Sequence, residues 1–260
     1  MSGATARLAP GVHVVRRDDD HVQVGLDPPA RVVVRRDERL LGLLDELRHG
    51  VRLPVDDPAR AGLVRALTDA GLLVGPAPDD AAGPATPTVR LVDRGLGIRR
   101  LDTMLRRAGV GPDVAGVAPD LVVLASAAPV PRAVLDDWVA DGTPHLLLAG
   151  PGRPGALRLG PLVEPGLTAC LRCVDAAEAV DDPRRPLVVE QLACRPAPLP
   201  GPGVLDLALA WAAREAAAYI AGRRPLTWSG TVDLDEGADP VVRSWPRHPH
   251  CGCAWTDLPY

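Results

Sequence analysis

A chain of 260 residues, 47% of them apolar, has the length and hydrophobic content for one large domain or two modest ones. Its net charge of −4 provides no basic field for nucleic acid or acidic membranes, and no apolar run reaches the ~18 residues of a membrane span. All 29 basic residues are arginine, so chemistry that needs a lysine ammonium beside a phosphate is excluded.

The start, Met-Ser-Gly-Ala-Thr-Ala-Arg, is neither a secretory nor a lipidation signal, so a cytoplasmic location is expected. Val12–Val15 and Val22–Leu26 read as two strands of a hairpin around Asp18-Asp19-Asp20, and Ala30–Val34 as a third, β-branched strand. Leu40, Leu43, Leu44 and Leu47 recur at helical spacing within Arg39–Leu47. Asp56-Asp57-Pro58 is a capped helix start; Leu63, Leu67 and Ala70 form one face of that helix, and Gly71 closes it. With a short strand at Leu72–Val74, these elements describe a winged-helix domain over 1–76. The stretch 77–87, rich in Pro, Ala, Asp and Gly without periodicity, reads as a linker.

Beyond the linker, strands at Val89–Val92, Leu121–Ala125 and His145–Leu148 alternate with helices at Arg99–Ala108 and Arg132–Ala140. That alternation predicts an α/β domain with a parallel sheet over 88–260. Gly203–Ala221 is a long apolar helix, but Asp206, Arg214 and Glu215 exclude a membrane span, so it is expected to pack on the sheet. Trp228–Asp235 and Val241–Trp245 pair around Glu236-Gly237 and lead into the last cysteines.

Those cysteines carry the strongest chemical signal. Cys170 and Cys173 form one doublet, and Cys251 and Cys253 a second near the end of the chain. Four thiolates are a full tetrahedral set for zinc, leaving no position for water or substrate, so the metal would be structural. In a reducing compartment such pairs bind metal more often than they form disulfides. The competing readings are buried thiols without metal, redox-active dithiols, or replacement of one cysteine by His248 or His250. Cys194, beside Arg195, has the environment of a lowered-pKa nucleophile, but no histidine lies near it in sequence.

Gly95 and Gly97 lie after a strand and before a helix, where a phosphate loop would be, yet Arg100 stands at the third glycine position. The loop is therefore expected not to cradle a nucleotide. Arg35 and Arg36, at the end of the third strand, either face solvent or steer an acidic peptide.

The run Gly160 to Cys173, together with His248-Pro-His-Cys251-Gly-Cys253, resembles ThiF-like (ubiquitin-activating-enzyme-like) proteins. It is most similar to the cyclodehydratase partner proteins of thiazole/oxazole-modified microcin biosynthesis. That resemblance implies an N-terminal PqqD-like RiPP recognition element, followed by a truncated, Rossmann-like ThiF-type domain with a structural four-cysteine zinc site. It implies a leader peptide added as a strand to Arg31, Val32, Val33 and Val34 and lying against Leu63 and Leu67. The ATP chemistry would belong to a separate YcaO-type protein. The sequence departs from working adenylating relatives in its broken loop, its missing lysine and the short Val110–Asp120 connection, which is too short for a second strand and acidic loop. The expected function is a non-catalytic zinc-binding adaptor, with no nucleic-acid or membrane partner; a homodimer is compatible with the sequence. The alternatives are a ThiF-type adenylyltransferase using Cys194 and, against the acidic charge, a winged-helix DNA-binding regulator.

Overall fold

The computed structural model describes residues 5–52, 57–75 and 86–253. Asp56 and nearly all of the expected linker lie outside them. The chain divides into two compact units, Met1–Gly83 and Pro84–Tyr260.

In the first unit, β2 (Val14–Arg16), β3 (His21–Gly25) and β4 (Arg31–Arg35) form an antiparallel sheet in that order. A second sheet, absent from the sequence reading, places β1 (Thr5–Leu8) between β5 (Val51–Arg52) and β6 (Leu73–Val74). Helix α1 (Glu38–His49) begins at Asp37, whose carboxylate accepts the N–H groups of Arg39 and Leu40. Asp57 does the same for Ala59 and Arg60 at the start of α2 (Pro58–Asp69), with proline at its first position. Each cap contributes about 1 kcal/mol. The leucines at helical spacing on α1 and α2, Leu43, Leu44, Leu47 and Leu67, are fully buried with Val24 and Val34 in one core. Each such leucine contributes roughly 2 kcal/mol of burial.

The second unit is built on a seven-stranded mixed sheet. Its members are β7 (Thr88–Arg94), β8 (Gly111–Pro112), β9 (Leu121–Ser126), β10 (His145–Ala149), β11 (Leu157–Val163), β12 (Gly230–Asp235) and β13 (Ala238–Ser244). The spatial order is β13-β12-β11-β10-β9-β7-β8. The four strands from β10 to β8 run parallel, and β11, β12 and β13 add antiparallel. The connection 110–120 does supply a second strand, reduced to the two residues of β8.

Every residue of β9 is buried because both sheet faces are covered. Leu121, Val123, Leu146 and Leu148 face α3 (Arg99–Arg107) and α7 (Pro202–Ile220). Leu124 and Leu147 face α4 (Ala133–Ala140). The long helix α7 packs on the sheet as expected; its Glu215 is 1% exposed and accepts the N–H and hydroxyl of Thr227. The remaining helices are α5 (Leu171–Glu178) and α6 (Arg185–Ala193). No helix among the described residues is long and apolar enough to cross a membrane.

Candidate metal centre

The antiparallel strand β11 delivers the chain, through a short turn, to Cys170. Within that turn Glu164 N–H donates to the Thr168 hydroxyl at 2.8 Å. Cys170 is the N-cap residue of α5, and Cys173 lies in its first turn. The positive end of a helix favours thiolate there. The second doublet follows β13, and the loop carrying it is tied down by several contacts. Trp245 donates its indole N–H to the Thr231 hydroxyl at 2.9 Å, Arg247 donates to the Gly166 carbonyl, and His248 N–H donates to Cys173 Sγ at 3.3 Å. Gly252, at φ 79°, occupies the left-handed region, which lets two cysteines separated by a single residue turn toward one point.

These constraints bring together all four cysteines expected from the sequence. Sγ of Cys170 lies 3.7 Å from Cys173 and 3.4 Å from Cys251, and Cys173 lies 3.5 Å from Cys253. All four sulfurs fall within 4.8 Å of one another. A tetrahedron with Zn–S bonds of ~2.3 Å has edges of about 3.8 Å, so the set fits a divalent ion bound by four sulfurs. His248 contributes its backbone N–H and not its ring; neither it nor His250 belongs to the group.

The electrostatics point the same way. The hydrogen bond from Cys170, with that from His248, pulls the Cys173 thiol down to about 4, and the same contact pushes Cys170 far up. Burial, then Cys173, pushes Cys253 up to about 11. Four thiolates cannot ionise together at these separations without a cation; a bound metal would displace the protons.

The glycine turn between β7 and α3, where Arg100 stands at the third glycine position, is closed by the chain's own side chains. Arg100 is exposed and pairs with Asp206 on α7. Asp93 lies near the end of β7. Its carboxylate accepts the N–H groups of Leu96 at 2.8 Å, Gly97 at 3.1 Å and Ile98 at 3.4 Å. These backbone donors at the start of α3 are therefore satisfied by the chain's own carboxylate. Cys194, exposed after α6, borders a crevice at the carboxyl ends of β7 and β9 with Arg94, Ser126 and Arg195. No histidine lines that crevice among the described residues.

In the first unit, the residues Arg31 to Val34 lie on β4, an edge strand. Arg36 N–H donates to Asp20 O, so the alternate residues Val34 and Val32 bond to β3. The backbone groups of Arg31, Val33 and Arg35 therefore face away from the sheet. Helix α2 packs against β4. Leu63 and Leu67 are 6% and 0% exposed, members of the core with Val34 rather than of a surface, and half-buried Val64 is their accessible neighbour.

No protein-family model matches the sequence, and no curated protein matches it. Solved structures do. The heterocyclase TruD is similar with a TM-score of 0.71 and 20% identity over 96% of this chain and 43% of that one. A heterocyclase in complex with substrate and cofactor gives 0.69 and 18% over 96% and 39%. The microcin C7 biosynthetic enzyme MccB, in complex with N-formylated MccA, gives 0.63 and 13% over 96% and 99%. The chain thus spans about two fifths of the heterocyclase structures and nearly all of MccB. These likenesses show a shared fold, consistent with the Rossmann-like, ThiF-type architecture expected from the sequence.

Proposed function

We propose that the chain is a zinc-stapled, non-catalytic adaptor that binds the leader of a ribosomally made precursor peptide and presents it to a separate YcaO-type cyclodehydratase. The single observation that carries the non-catalytic part is Asp93, which occupies the N–H groups a nucleotide phosphate would need. Zinc is the ion best matched to four sulfur donors in a tetrahedral arrangement. With every ligand position filled by protein, it would hold the loop 245–253 against α5 and do no chemistry. The outer edge of β4, unpaired with any strand among the described residues, supports strand addition by an extended peptide, with Val33 on the accepting side. The similar structures include a heterocyclase in complex with substrate and cofactor and MccB in complex with N-formylated MccA, which supports a binding role for this fold.

The direct test is fluorescence anisotropy of a labelled leader from a precursor encoded beside this chain. Saturable binding is expected with the parent protein. Val33→Pro removes one edge N–H and is tolerated at a sheet edge, so it is expected to weaken binding at least about tenfold while the fold persists. If no saturable binding occurs with or without the partner enzyme, leader recognition is wrong.

A second reading, an ATP-dependent adenylyltransferase, draws on the crevice beside Cys194 and on an MccB structure with ATP that matches over 99% of its length. The two readings separate in ATP–pyrophosphate exchange. The parent chain is expected to show no exchange above background, and Cys194→Ala to leave leader binding unchanged. Robust exchange that Cys194→Ala abolishes would establish the enzyme instead.

A further inference from the structure

On β4 the alternation of faces is strict. Val34 belongs to the core of the first unit and Val32 packs against it, while Arg31, Val33 and Arg35 stand exposed on the opposite face. These are the same three residues whose backbone groups point off the edge of the sheet. Each therefore offers an N–H, a C=O and a side chain to a strand laid alongside.

The two arginines receive no counter-charge from within the sheet. On β3, Gly25 stands opposite Arg31 and has no side chain, and Gln23 stands opposite Val33. His21 stands opposite Arg35, but its ring is held by Asp18 at 2.9 Å. The acid-rich turn beside them serves other arginines: the Asp19 carboxylate pairs with Arg16, and the Asp19 carbonyl accepts from Arg36. Among the described residues neither Arg31 nor Arg35 has an ion-pair partner. Their complement has to arrive from the side where β4 has no neighbouring strand.

We propose that this edge selects a peptide with carboxylates at positions i and i+4 around an apolar residue at i+2. The inference rests on strand addition to β4, as argued above, and adds which sequence that edge accepts. Residues directly opposite on paired strands share a face, with Cβ atoms roughly 5 Å apart. The i, i+2 and i+4 side chains of the peptide thus stand beside Arg31, Val33 and Arg35. Its intervening residues turn to the face of Val32 and Val34, where α2 packs and Val64 is half-buried, so they are apolar. Arg-Val-Arg is symmetric about Val33, and the pattern reads alike in both chain directions. One exposed ion pair contributes little, so the selectivity comes from two attractive pairs in one register against two repulsive ones.

The experiment is fluorescence anisotropy of the full chain with short labelled peptides that differ only at their centre. The first carries Glu-Val-Val-Val-Glu, the second Lys-Val-Val-Val-Lys, and the third Glu-Val-Val-Glu-Val, whose two carboxylates fall on opposite faces. Saturable binding of the first is expected, with the second about tenfold weaker and the third about threefold weaker. Added sodium chloride should narrow both gaps, because exposed pairs are screened. The double variant Arg31→Glu, Arg35→Glu changes only exposed side chains and should reverse the order of the first two peptides, which misfolding cannot do. Equal binding of the acidic and lysine peptides, equal binding of the two acidic spacings, or an order that the double variant leaves unreversed overturns the charge pattern. If in that case the precursor leader still saturates the parent and Val33→Pro weakens it, strand addition stands without the pattern. If neither the leader nor the first peptide saturates, strand addition itself fails and the pattern falls with it.

Discussion

Cys173→Ser is expected to abolish zinc retention and to lower the stability of the second unit by about 4 kcal/mol or more. Cys173 is the most connected of the four sulfurs. It is fully buried, touches Cys170 and Cys253, and receives the His248 N–H that docks the C-terminal loop. A serine hydroxyl cannot supply a thiolate, and the three remaining cysteines would be left as crowded thiols whose ionisation nothing compensates. In a domain of this size the loss corresponds to a melting shift of ~10 °C. The first unit has its own core, so its transition is expected to stay in place. Metal analysis and calorimetry of Cys173→Ser beside Cys194→Ser form the test, the second variant being silent because Cys194 is exposed and outside the quartet. One retained equivalent of zinc with unchanged melting in Cys173→Ser would remove the metal assignment.

The second large effect is expected at Arg158. This side chain on β11 is 13% exposed and binds Asp233 of β12 at 2.6 and 3.0 Å and Glu178 of α5 at 2.9 Å. It therefore anchors the cysteine-bearing helix to the sheet. Arg158→Met keeps much of the apolar stem but leaves two largely buried carboxylates short of their partner, which costs about 3–5 kcal/mol by urea denaturation. The pH dependence has a definite sign. Burial works to raise the Asp233 pKa, but the bonds from Arg158, reinforced by Arg243, hold it below the ordinary 3.8. Its contribution is thus complete above pH 3.8 and is lost as pH falls from there through the folded-state value. Acid unfolding below about pH 4 should accordingly be steeper in the parent than in Arg158→Met. Identical acid profiles would mean that Asp233 gains nothing from the pair.

Parts of this molecule are legible in its sequence. Asp57-Pro58 marks a helix start because a carboxylate cap and a residue without an N–H suit orphan donors whatever the context. The burial of Leu43 and Leu47 follows from their helical spacing, which is a local geometric fact. Other parts were hidden for equally physical reasons. β1 is four residues long and gains its partners from β5 and β6, far along the chain. β11 contains Gly160-Pro161, which reads as a breaker, and joins the sheet only through pairing with β10 and β12. The family resemblance lays a peptide against Leu63 and Leu67, while the structure buries both in the domain's own core, a distinction that an apolar helix face does not make by itself. The role of Asp93 is not legible in sequence, since a charge next to a glycine turn does not reveal which backbone donors it satisfies.

From sequence alone, this protein was determined to be an α/β chain without lysine whose four cysteines suit a metal, because composition, spacing and local periodicity are properties of the covalent chain. Only the tertiary structure decided that the four sulfurs meet and that the Asp93 carboxylate accepts the N–H groups of the glycine turn. Those outcomes depend on which distant atoms occupy a few ångströms of shared space, and hydrogen-bond satisfaction is counted there and nowhere in the order of residues.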